Sequence, residues 1–509
     1  MKRRLIILLV PALTAVLLGP SPAAAYGGDR GTLMRYAADT WRSFVAMTEP
    51  ATGLPHDHIG GDLAPSTRSR YTSPTNIGGY LWSTVIARDL GIVSPREADQ
   101  RIRQTLGTLD RMPHHEPSGM FYNWYDPATL EVLREFPGSG DPIHPFLSSV
   151  DNGWLASALM VVRAAVRGPA GAQATRLLGE MDFGIYYTAA PTAQHNRGGG
   201  LMRGGFFDEQ PPPGQCTEQS TYQGKSLWLG CFHYDTHITE ARISGYVGVA
   251  LGQVPQVWYF GPNRTFPANC DWGWVEQRPV GRVDTYLGIE VFEGTYEYRG
   301  RRFVPSWGGD MFEALMPAMF VPEEQWGRKS WGRNHPVYVR GQIEHGLIEA
   351  GYGYWGFSPA SDPFGGYSVY GVDEMGMDPG GYPSDREQTN VDKGYEGCRE
   401  PQSPPTFGDG VVTPHASFLA LPYASDEALA NLRKLRQNLD AYGPGGFYDS
   451  IAVRSNTPAK RYLALDQAMV LGPIGNALLN DRLRHYFSEG GAEQRLRPVM
   501  QLEEFHLSG

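Results

Sequence analysis

The sequence predicts an all-α protein: one (α/α)6 toroid with long aromatic loops and at most short β-hairpins. Two observations predict this class. About twelve segments carry apolar residues at helical spacing, and strand signals are weak. Twelve helices suit alternating inner and outer helices, although the periodicity alone fits an irregular helical bundle equally well.

The predicted helices follow one another along the chain. In the first, Leu33, Trp41 and Phe44 fall on one face, as expected for an amphipathic helix. The predicted helical segments are 30–47, 76–91, 95–111, 149–167, 170–183, 237–251, 308–320, 334–350, 412–421, 426–439, 462–478 and 479–489.

Local signals mark several element ends. Ser94, Ser425 and Asn480 precede helical segments and are typical N-cap residues. The clearest strand signal is a cluster of Thr, Tyr, Val and Phe over residues 288–304, which predicts a hairpin turning at Gly300.

The composition indicates a large, loop-rich globular protein. The 509 residues include 12 Trp, 27 Tyr and 21 Phe, together with 63 Gly and 40 Pro, whereas charged residues are 19%. The 41% hydrophobic content excludes a disordered chain, and the low charge excludes a coiled coil. The predicted loops at 112–148, 184–236, 252–307 and 351–411 exceed usual connections, and long ordered loops often carry function.

The N-terminus has the three parts of a secretory signal. A basic start at residues 2–4 precedes an apolar run over 5–18 and three alanines ending at Ala25. We expect cleavage after Ala25 and a secreted mature protein of one domain, residues 26–509. An uncleaved membrane anchor is the alternative, but the run is shorter than the roughly 20 residues that a membrane span requires.

The charge of the mature chain argues against nucleic acid as a partner. Removing the three basic residues at 2–4 takes the net charge from −10 to −13. Phosphate binding needs clustered lysine and arginine, and no such patch is evident. We therefore expect a carbohydrate partner, no nucleic acid, no membrane segment after signal cleavage, and a monomer.

The four cysteines suggest disulfides in an exported protein. Cys216 with Cys231 closes a short polar loop and is the simplest pairing, which leaves Cys270 with Cys398. Four free thiols are the alternative. The absence of a CxxC motif argues against a zinc or redox site.

Carboxylates embedded among aromatic residues are the strongest chemical signal. Glycoside hydrolysis needs two carboxyl groups and flat surfaces on which sugar rings stack. Asp466 lies in an apolar helical segment, where a carboxylate must be paired, hydrogen-bonded or functional. For Glu240 the structural alternative is a charge at a helix N-terminus, and for Asp466 it is a salt bridge.

Other motifs narrow the function. The chain has no GxSxG, P-loop, dinucleotide fingerprint or HExxH motif, which argues against a serine hydrolase, an NTPase and a zincin. His233, Asp235 and His237 resemble metal ligands, but polar loop residues capping the next helix are the simpler interpretation. We expect no cofactor and no metal.

Eight segments in order resemble the glycoamylase-like family, which includes bacterial endo-β-1,2-glucanases and a domain of cyclic β-1,2-glucan synthases. The resemblance extends from about residue 71 to 490. The matching segments are TSPTNIGGYLWS (72–83), SSVDNGWLASAL (148–159), TEARISGYVGVALGQVP (239–255), SWGGDMFEALMP (306–317), YWGFSPASDP (354–363), VVTPHASFLALPY (411–423), GGFYDSI (445–451) and ALDQAMVLGPIGNAL (464–478).

The resemblance implies an (α/α)6 barrel and an inverting hydrolysis in a groove across it. It implies Glu240 as general acid and Asp466 as the base that activates water. Two positions differ from the glucanase pattern, which leaves the sugar open: Trp154 stands where the glucanases have Glu, and Asp466-Gln467 is not followed directly by Gly-Pro. The candidate substrate-binding residues are Asp151, Trp154, Arg242, Trp307, Glu313, Trp355, Tyr448 and Gln467.

The sequence thus predicts a secreted glycoside hydrolase that acts on a polysaccharide or oligosaccharide. A polysaccharide lyase on the same fold is one alternative, and its product would carry an unsaturated uronide. A non-catalytic glycan-binding protein is the other, and it would release no reducing ends.

Overall fold

The structure is a computed structural model that describes residues 28–190, 198–266, 276–377 and 407–507. About 43% of the described residues are helical, and these ranges contain 14 α-helices. The mainly helical prediction is therefore confirmed. The helices are α1 Arg30–Met47, α2 Pro74–Asp89, α3 Pro95–Leu109, α4 Ser149–Ala165, α5 Pro169–Glu180, α6 Arg242–Leu251, α7 Met311–Leu315, α8 Glu323–Trp326, α9 Trp331–Glu344, α10 Pro414–Leu419, α11 Ser425–Asn438, α12 Ala464–Leu478, α13 Arg482–Ser488 and α14 Ala492–Met500.

Short strands occupy the long loops between the helices. They are β1 His58–Gly60, β2 His114–His115, β3 Met120–Phe121, β4 Leu147–Ser148, β5 Tyr187–Thr188, β6 Leu201–Arg203, β7 Gly205–Phe207, β8 Thr217–Tyr222, β9 Lys225–Gly230, β10 His233–Tyr234, β11 Val280–Tyr286, β12 Ile289–Tyr298, β13 Arg301–Phe303, β14 Ala360–Ser361, β15 Tyr367–Ser368, β16 Val411–Val412, β17 Tyr442–Gly443, β18 Gly446–Phe447, β19 Ser450–Ala452, β20 Thr457–Ala459 and β21 Arg461–Leu463.

The loops contain more sheet than the predicted short hairpins. One sheet has four strands in the order β4-β7-β9-β8, and β12 is ten residues long between β11 and β13. Distant loop segments pair with one another here, as Leu147 does with Phe206, and such pairing leaves no local signal in the sequence. The predicted turn at Gly300 is confirmed, because Tyr298 pairs with Arg301 across a two-residue turn.

Tertiary contacts shift several predicted helix ends. The Ser94 hydroxyl oxygen caps α3 by accepting a hydrogen bond from the Glu97 N–H group, as predicted. Ser425 instead lies inside α11, and Asp481 rather than Asn480 is the N-cap of α13. The predicted helix over 308–320 is divided, since α7 ends at Leu315 and a 3-10 turn follows.

The core forms around α2, α4 and α12, and α2 packs against both of the others. Glycine permits a close approach: a Cβ added at Gly78 would lie 3.0 Å from the carbonyl oxygen of Trp154. Asp151 lies in the first turn of α4 and Asp466 in the first turn of α12. The tightly packed core thus fixes the backbone that carries these two carboxylates.

The cysteine-containing stretch forms sheet beside α4. Cys216 and Cys231 form the predicted disulfide, which closes the β8–β9 hairpin. Phe232 follows Cys231 directly and leads into β10. Cys270 and Cys398 lie outside the described residues, as does the predicted signal sequence.

No helix in the described ranges combines the length and the apolar character needed to cross a membrane.

Candidate functional site

The turn before α6 lines a cavity of about 320 Å³ that contains Glu240. We call it the Glu240 cavity. It combines aromatic rings with carboxyl groups, and Phe232 at its edge is 54% exposed. The lining residues are Phe232, His233, Tyr234, Asp235, Thr236, Thr239, Glu240, Trp307 and Glu313. Three predicted site residues, Glu240, Trp307 and Glu313, therefore meet in one cavity.

Burial and like charges favour a protonated Glu240. Burial raises the pKa of Glu240, and the charge of Asp151 raises it further. A hydrogen bond from the Thr239 hydroxyl to Glu240 Oε2, 3.0 Å long, and the charge of Arg242 act in the opposite direction. The net effect is a raised pKa, which is the property a general acid needs near neutral pH.

Asp310 and Glu313 form a pair of carboxyls with raised pKa values beside Glu240. Burial and the charge of Glu240 raise the pKa of Asp310 to about 8. Burial and then the charge of Asp310 raise the pKa of Glu313 well above its usual range. The Glu313 N–H group donates to Asp310 Oδ1 at 2.8 Å, and the Gly308 N–H group donates to Glu313 Oε2 at 2.6 Å. These bonds fix both side chains next to Glu240.

Asp151 contributes charge to this site from α4. The Thr75 hydroxyl donates to Asp151 Oδ1 at 2.6 Å, and burial raises the pKa of Asp151. Burial and the charges of Glu240 and Asp151 all raise the pKa of Tyr234, which lines the Glu240 cavity. Asp151 is therefore close enough to affect the same groups as Glu240.

Asp466 lies in a separate cluster with Asp449 and His415, which we call the Asp466 cluster. All three side chains are buried. One polar atom from each, a ring nitrogen or a carboxyl oxygen, lies within 4.8 Å of the others. His415 Nδ1 is 3.7 Å from Asp466 Oδ2. Burial raises the pKa of Asp466 well above its usual range, and the charges of Asp449 and Asp57 add to this effect.

Tyr367 is influenced by carboxyls of the Asp466 cluster and by Asp310, which lies beside Glu240. Burial of its hydroxyl, followed by the charges of Asp466, Asp449, Asp57 and Asp310, raises the pKa of Tyr367. Tyr367 is nevertheless 55% exposed, because it lies on the surface hairpin β14–β15. Since the charge of Asp310 also acts on Tyr367, this tyrosine is within electrostatic range of both groups of carboxyls.

Two predicted stacking residues, Trp154 and Trp355, are buried in the core of this structure, and their contact with a sugar stays a prediction. Trp154 is 1% exposed and packs against Trp82 and Phe320, with ring centroids 6.3 and 5.9 Å away. Trp355 is also 1% exposed, and its carbonyl oxygen accepts a 2.8 Å hydrogen bond from Asn431. Both indoles are enclosed by the core in this structure.

Tyr448 and Gln467 are buried near the Asp466 cluster and also have structural contacts. Tyr448 packs on Tyr462 with centroids 5.3 Å apart. The Gln467 amide donates to the Phe447 carbonyl oxygen at 3.3 Å, and its oxygen accepts from the Ser43 hydroxyl at the same distance. Both residues hold the segment next to Asp449, and their contact with a substrate stays a prediction.

Arg242 has structural contacts, and its predicted contact with a substrate stays a prediction. It is 3% exposed, and its guanidinium binds both carboxylate oxygens of Glu323 at 2.7 and 3.0 Å. It also donates to the carbonyl oxygens of Glu313 and Ala314 at 2.7 and 2.9 Å. Burial alone would raise the pKa of Glu323, but Arg242 and His335 lower it to about 2. Arg242 therefore ties the start of α6 to α7 and α8.

Arg242→Leu is expected to destabilise the fold by about 3–5 kcal/mol, because it leaves the buried Glu323 carboxylate without its main counter-charge. Urea unfolding measures this loss. The control is Arg103→Leu, which removes an exposed pair with Asp99 and should cost about 0–1 kcal/mol. Equal losses in the two variants would contradict the structural role.

The sequence signals were too weak to select four residues near the site: Asp310, His415, Asp449 and Tyr367. Asp449 follows Tyr448 in GGFYDSI, and His415 lies in VVTPHASFL, so both stand in segments already singled out. For Asp449 and His415, the available signal was a polar side chain within a largely apolar segment. Tyr367 had none, because it follows two glycines in an ordinary surface hairpin.

Besides the Asp466 cluster, a second group of candidate metal ligands lies within the described ranges, and members of this group bond to one another and to a tyrosine. His345, Glu349 and Glu374 bring ligand atoms within 4.8 Å, but His345 Nδ1 lies 2.9 Å from Glu349 Oε2 and the Tyr298 hydroxyl also bonds to Glu349. His233 lies in strand β10 rather than in a loop, and its Nε2 is 3.0 Å from the Thr188 hydroxyl. The expectation of no metal stays a prediction.

Two family models match parts of the chain. The Glycoamylase model, described as "Putative glucoamylase", matches residues 283–489. A model described as "Protein of unknown function (DUF3131)" matches residues 35–176. The first match includes Asp310, Asp449 and Asp466, and the second includes Asp151.

Similar proteins include a cyclic β-(1,2)-glucan synthase, NdvB, from Rhizobium meliloti (strain 1021). It is 26% identical over 89% of this chain, which spans only 18% of that protein. An endo-β-1,2-glucanase from Chitinophaga pinensis, in complex with sophorotriose and glucose, is 14% identical. It has a TM-score of 0.62 over 93% of this chain and 97% of its own.

A further similar structure is an endo-β-1,2-glucanase from Talaromyces funiculosus in complex with sophorose. It is 11% identical, with a TM-score of 0.61 over 95% of this chain and 93% of its own. At these identities the structures establish a shared fold. The partial family match and the curated relative bear out the resemblance seen in the motifs: this chain is similar to members of the glycoamylase-like family.

Proposed function

We propose that the protein is a secreted, monomeric glycoside hydrolase with one (α/α)6 domain, and that it cleaves a glycan by an inverting mechanism. The observation that carries this proposal is that two groups of buried carboxyls, one around Glu240 and one around Asp466, both act on Tyr367. The first provides a carboxyl whose pKa is raised inside an aromatic cavity, and the second provides a buried carboxyl pair. Inverting hydrolysis requires one acid and one base on opposite sides of the sugar.

In the proposed reaction, Glu240 donates its proton to the glycosidic oxygen as the bond to the anomeric carbon breaks. Asp466 takes a proton from water as the water oxygen bonds to that carbon from the opposite face. The products are two sugar hydroxyls, one of them at an inverted anomeric centre. Glu240 then regains a proton from solvent, and Asp466 releases one.

We propose a neutral glycan as the substrate. The cavity offers Phe232, Tyr234 and Trp307 as aromatic surfaces. Among the described residues, the cavity lining contains no lysine or arginine that could neutralise the carboxylate of an acidic sugar, which also argues against a uronide lyase. The names of the relatives make β-1,2-linked glucan the first substrate to test.

A reducing-end assay against a panel of glycans tests the proposal. The panel contains β-1,2-glucan, other neutral β-glucans, and bacterial arabinans and galactans. We expect new reducing ends from at least one neutral glycan, without new ultraviolet absorbance. Absorbance from an unsaturated product would instead identify a lyase, and binding without cleavage would identify a glycan-binding protein.

A further inference from the structure

Asp449 reaches Asp466 from a different part of the fold. It lies between β18 and β19 and is 1% exposed, whereas Asp466 lies on α12 and is 2% exposed. The Ser361 N–H group donates to Asp449 Oδ2 at 2.6 Å, and the Ser450 hydroxyl bonds to the Ser361 carbonyl oxygen. These bonds join β14 to β19 and hold the Asp449 carboxyl in place beside Asp466.

The charges of the two carboxyls are not compensated by an ion pair within the described ranges, where no lysine or arginine forms one with either of them. His415 is the nearest basic group, and burial lowers the pKa of His415 to about 3, so the ring is neutral at physiological pH. Two carboxylates this close in a buried site cannot both stay ionised without a large energetic cost.

A proton resolves this conflict. With both groups ionised, Asp449 Oδ1 and Asp466 Oδ2 are buried oxygens without a hydrogen-bond donor among the described residues. A carboxyl oxygen of Asp449 lies within 4.8 Å of one of Asp466, and each carboxyl shifts the pKa of the other. One proton therefore supplies a donor and removes one of the two charges.

We propose that Asp449 and Asp466 form a dyad that shares a single proton, with Asp449 as the positioning residue for the base Asp466. This inference rests on the proposed hydrolysis for its role but not for its geometry. The dyad carries one negative charge before reaction. It accepts the proton released by the attacking water, holds two protons briefly, and returns one to solvent.

The shared proton has a consequence for stability. The raised pKa means that the folded protein keeps a proton that the unfolded chain releases near pH 4. The stabilisation that this proton gives is full at low pH and is lost as the pH rises through the raised pKa. The other groups facing Asp466 are Asp57, His415 and Tyr367, and Arg461 lowers the pKa of Asp449.

The test compares Asp449→Asn with the wild type in urea unfolding from pH 5 to pH 8. Asparagine can donate to Asp466 and accept from Ser361, but it carries no charge. We expect the folding equilibrium constant of the variant to rise relative to the wild type as the pH rises, about tenfold for each pKa unit by which Asp466 falls. If the stabilities of the variant and the wild type changed in parallel with pH, the shared proton would be overturned. This outcome does not depend on knowing a substrate.

Two controls distinguish a shared proton from a general effect of charge removal and from a bound cation. Asp440→Asn removes an exposed pair with Lys460 and should leave the pH curve parallel to the wild type. A chelator should not change the unfolding midpoint of the wild type. A midpoint lowered by the chelator and restored by Ca²⁺ would show that a cation occupies the site instead of the proton.

Activity provides a further test once a substrate is found. We expect Asp449→Asn to shift the acidic limb of the kcat profile to lower pH, because Asp466 then ionises more easily. A merely structural Asp449 would lower kcat at all pH values without moving the limb. That result would overturn the positioning role but leave the proposed hydrolysis intact.

Discussion

Glu240→Gln is expected to lower kcat by about 10²–10⁴-fold on the natural glycan, because the amide cannot protonate the leaving oxygen. KM should change little, since glutamine has the same shape and can still accept the hydrogen bond from Thr239. The measurement is initial-rate kinetics of reducing-end release. The control is Glu209→Gln, which alters an exposed pair with Arg134 and should keep the wild-type rate.

A glycoside with a good leaving group sharpens this test. An aryl leaving group departs without protonation, so Glu240→Gln should cleave the aryl glycoside of the same glycan at close to the wild-type rate. A uniform deficit on both substrates would contradict the acid role. It would instead mean that Glu240 binds or positions the sugar.

Asp466→Asn is expected to cause a similar loss of kcat, about 10²–10⁴-fold, for a different reason. The water still binds, but no base takes its proton. The deficit should therefore be as large on the aryl glycoside as on the natural glycan, in contrast to Glu240→Gln. Urea unfolding should show no loss of stability at neutral pH, because the substitution removes one of two buried acidic groups.

Asp99→Asn is the matched control for Asp466→Asn, since it changes an exposed carboxyl paired with Arg103. An Asp466→Asn variant that keeps wild-type rates would exclude Asp466 as the base. Asp310 and Glu313 would then be the next candidates, because both lie beside Glu240.

The sequence predicted those parts of the fold and site that depend on local pattern. Ser94 caps α3 as its position before Pro95 indicates, and the disulfide between Cys216 and Cys231 closes a short loop. Glu240 stands just before a helix, and Asp466 lies in an apolar helical segment, so each stood out from its neighbours. Such signals need no knowledge of distant contacts.

The sequence could not reveal the surroundings of residues whose environment is set by distant contacts. Trp154 and Trp355 have the side chains of sugar platforms, but the core closes over both indoles. Arg242 follows Glu240 by two residues, yet its partner Glu323 is 81 positions away. No local pattern distinguishes a guanidinium that binds a sugar from one that binds a buried carboxylate.

The Asp449–Asp466 contact could not be predicted for the same reason. Asp449 was noticed only through its neighbour Tyr448, and its approach to Asp466 depends on strands β14 and β19 packing beside α12. A pattern in one sequence reveals a buried carboxyl but not the second carboxyl that shares its proton. The chemistry of the pair is visible only in three dimensions.

The proposed mechanism requires that Glu240 and Asp466 act on opposite faces of one glycosidic bond. Its most direct test is ¹H NMR of the anomeric proton during the first minutes of cleavage of a β-linked glycan by the wild type. We expect the α-anomer to appear first and then to mutarotate. First appearance of the β-anomer, or of an unsaturated sugar, would contradict the mechanism.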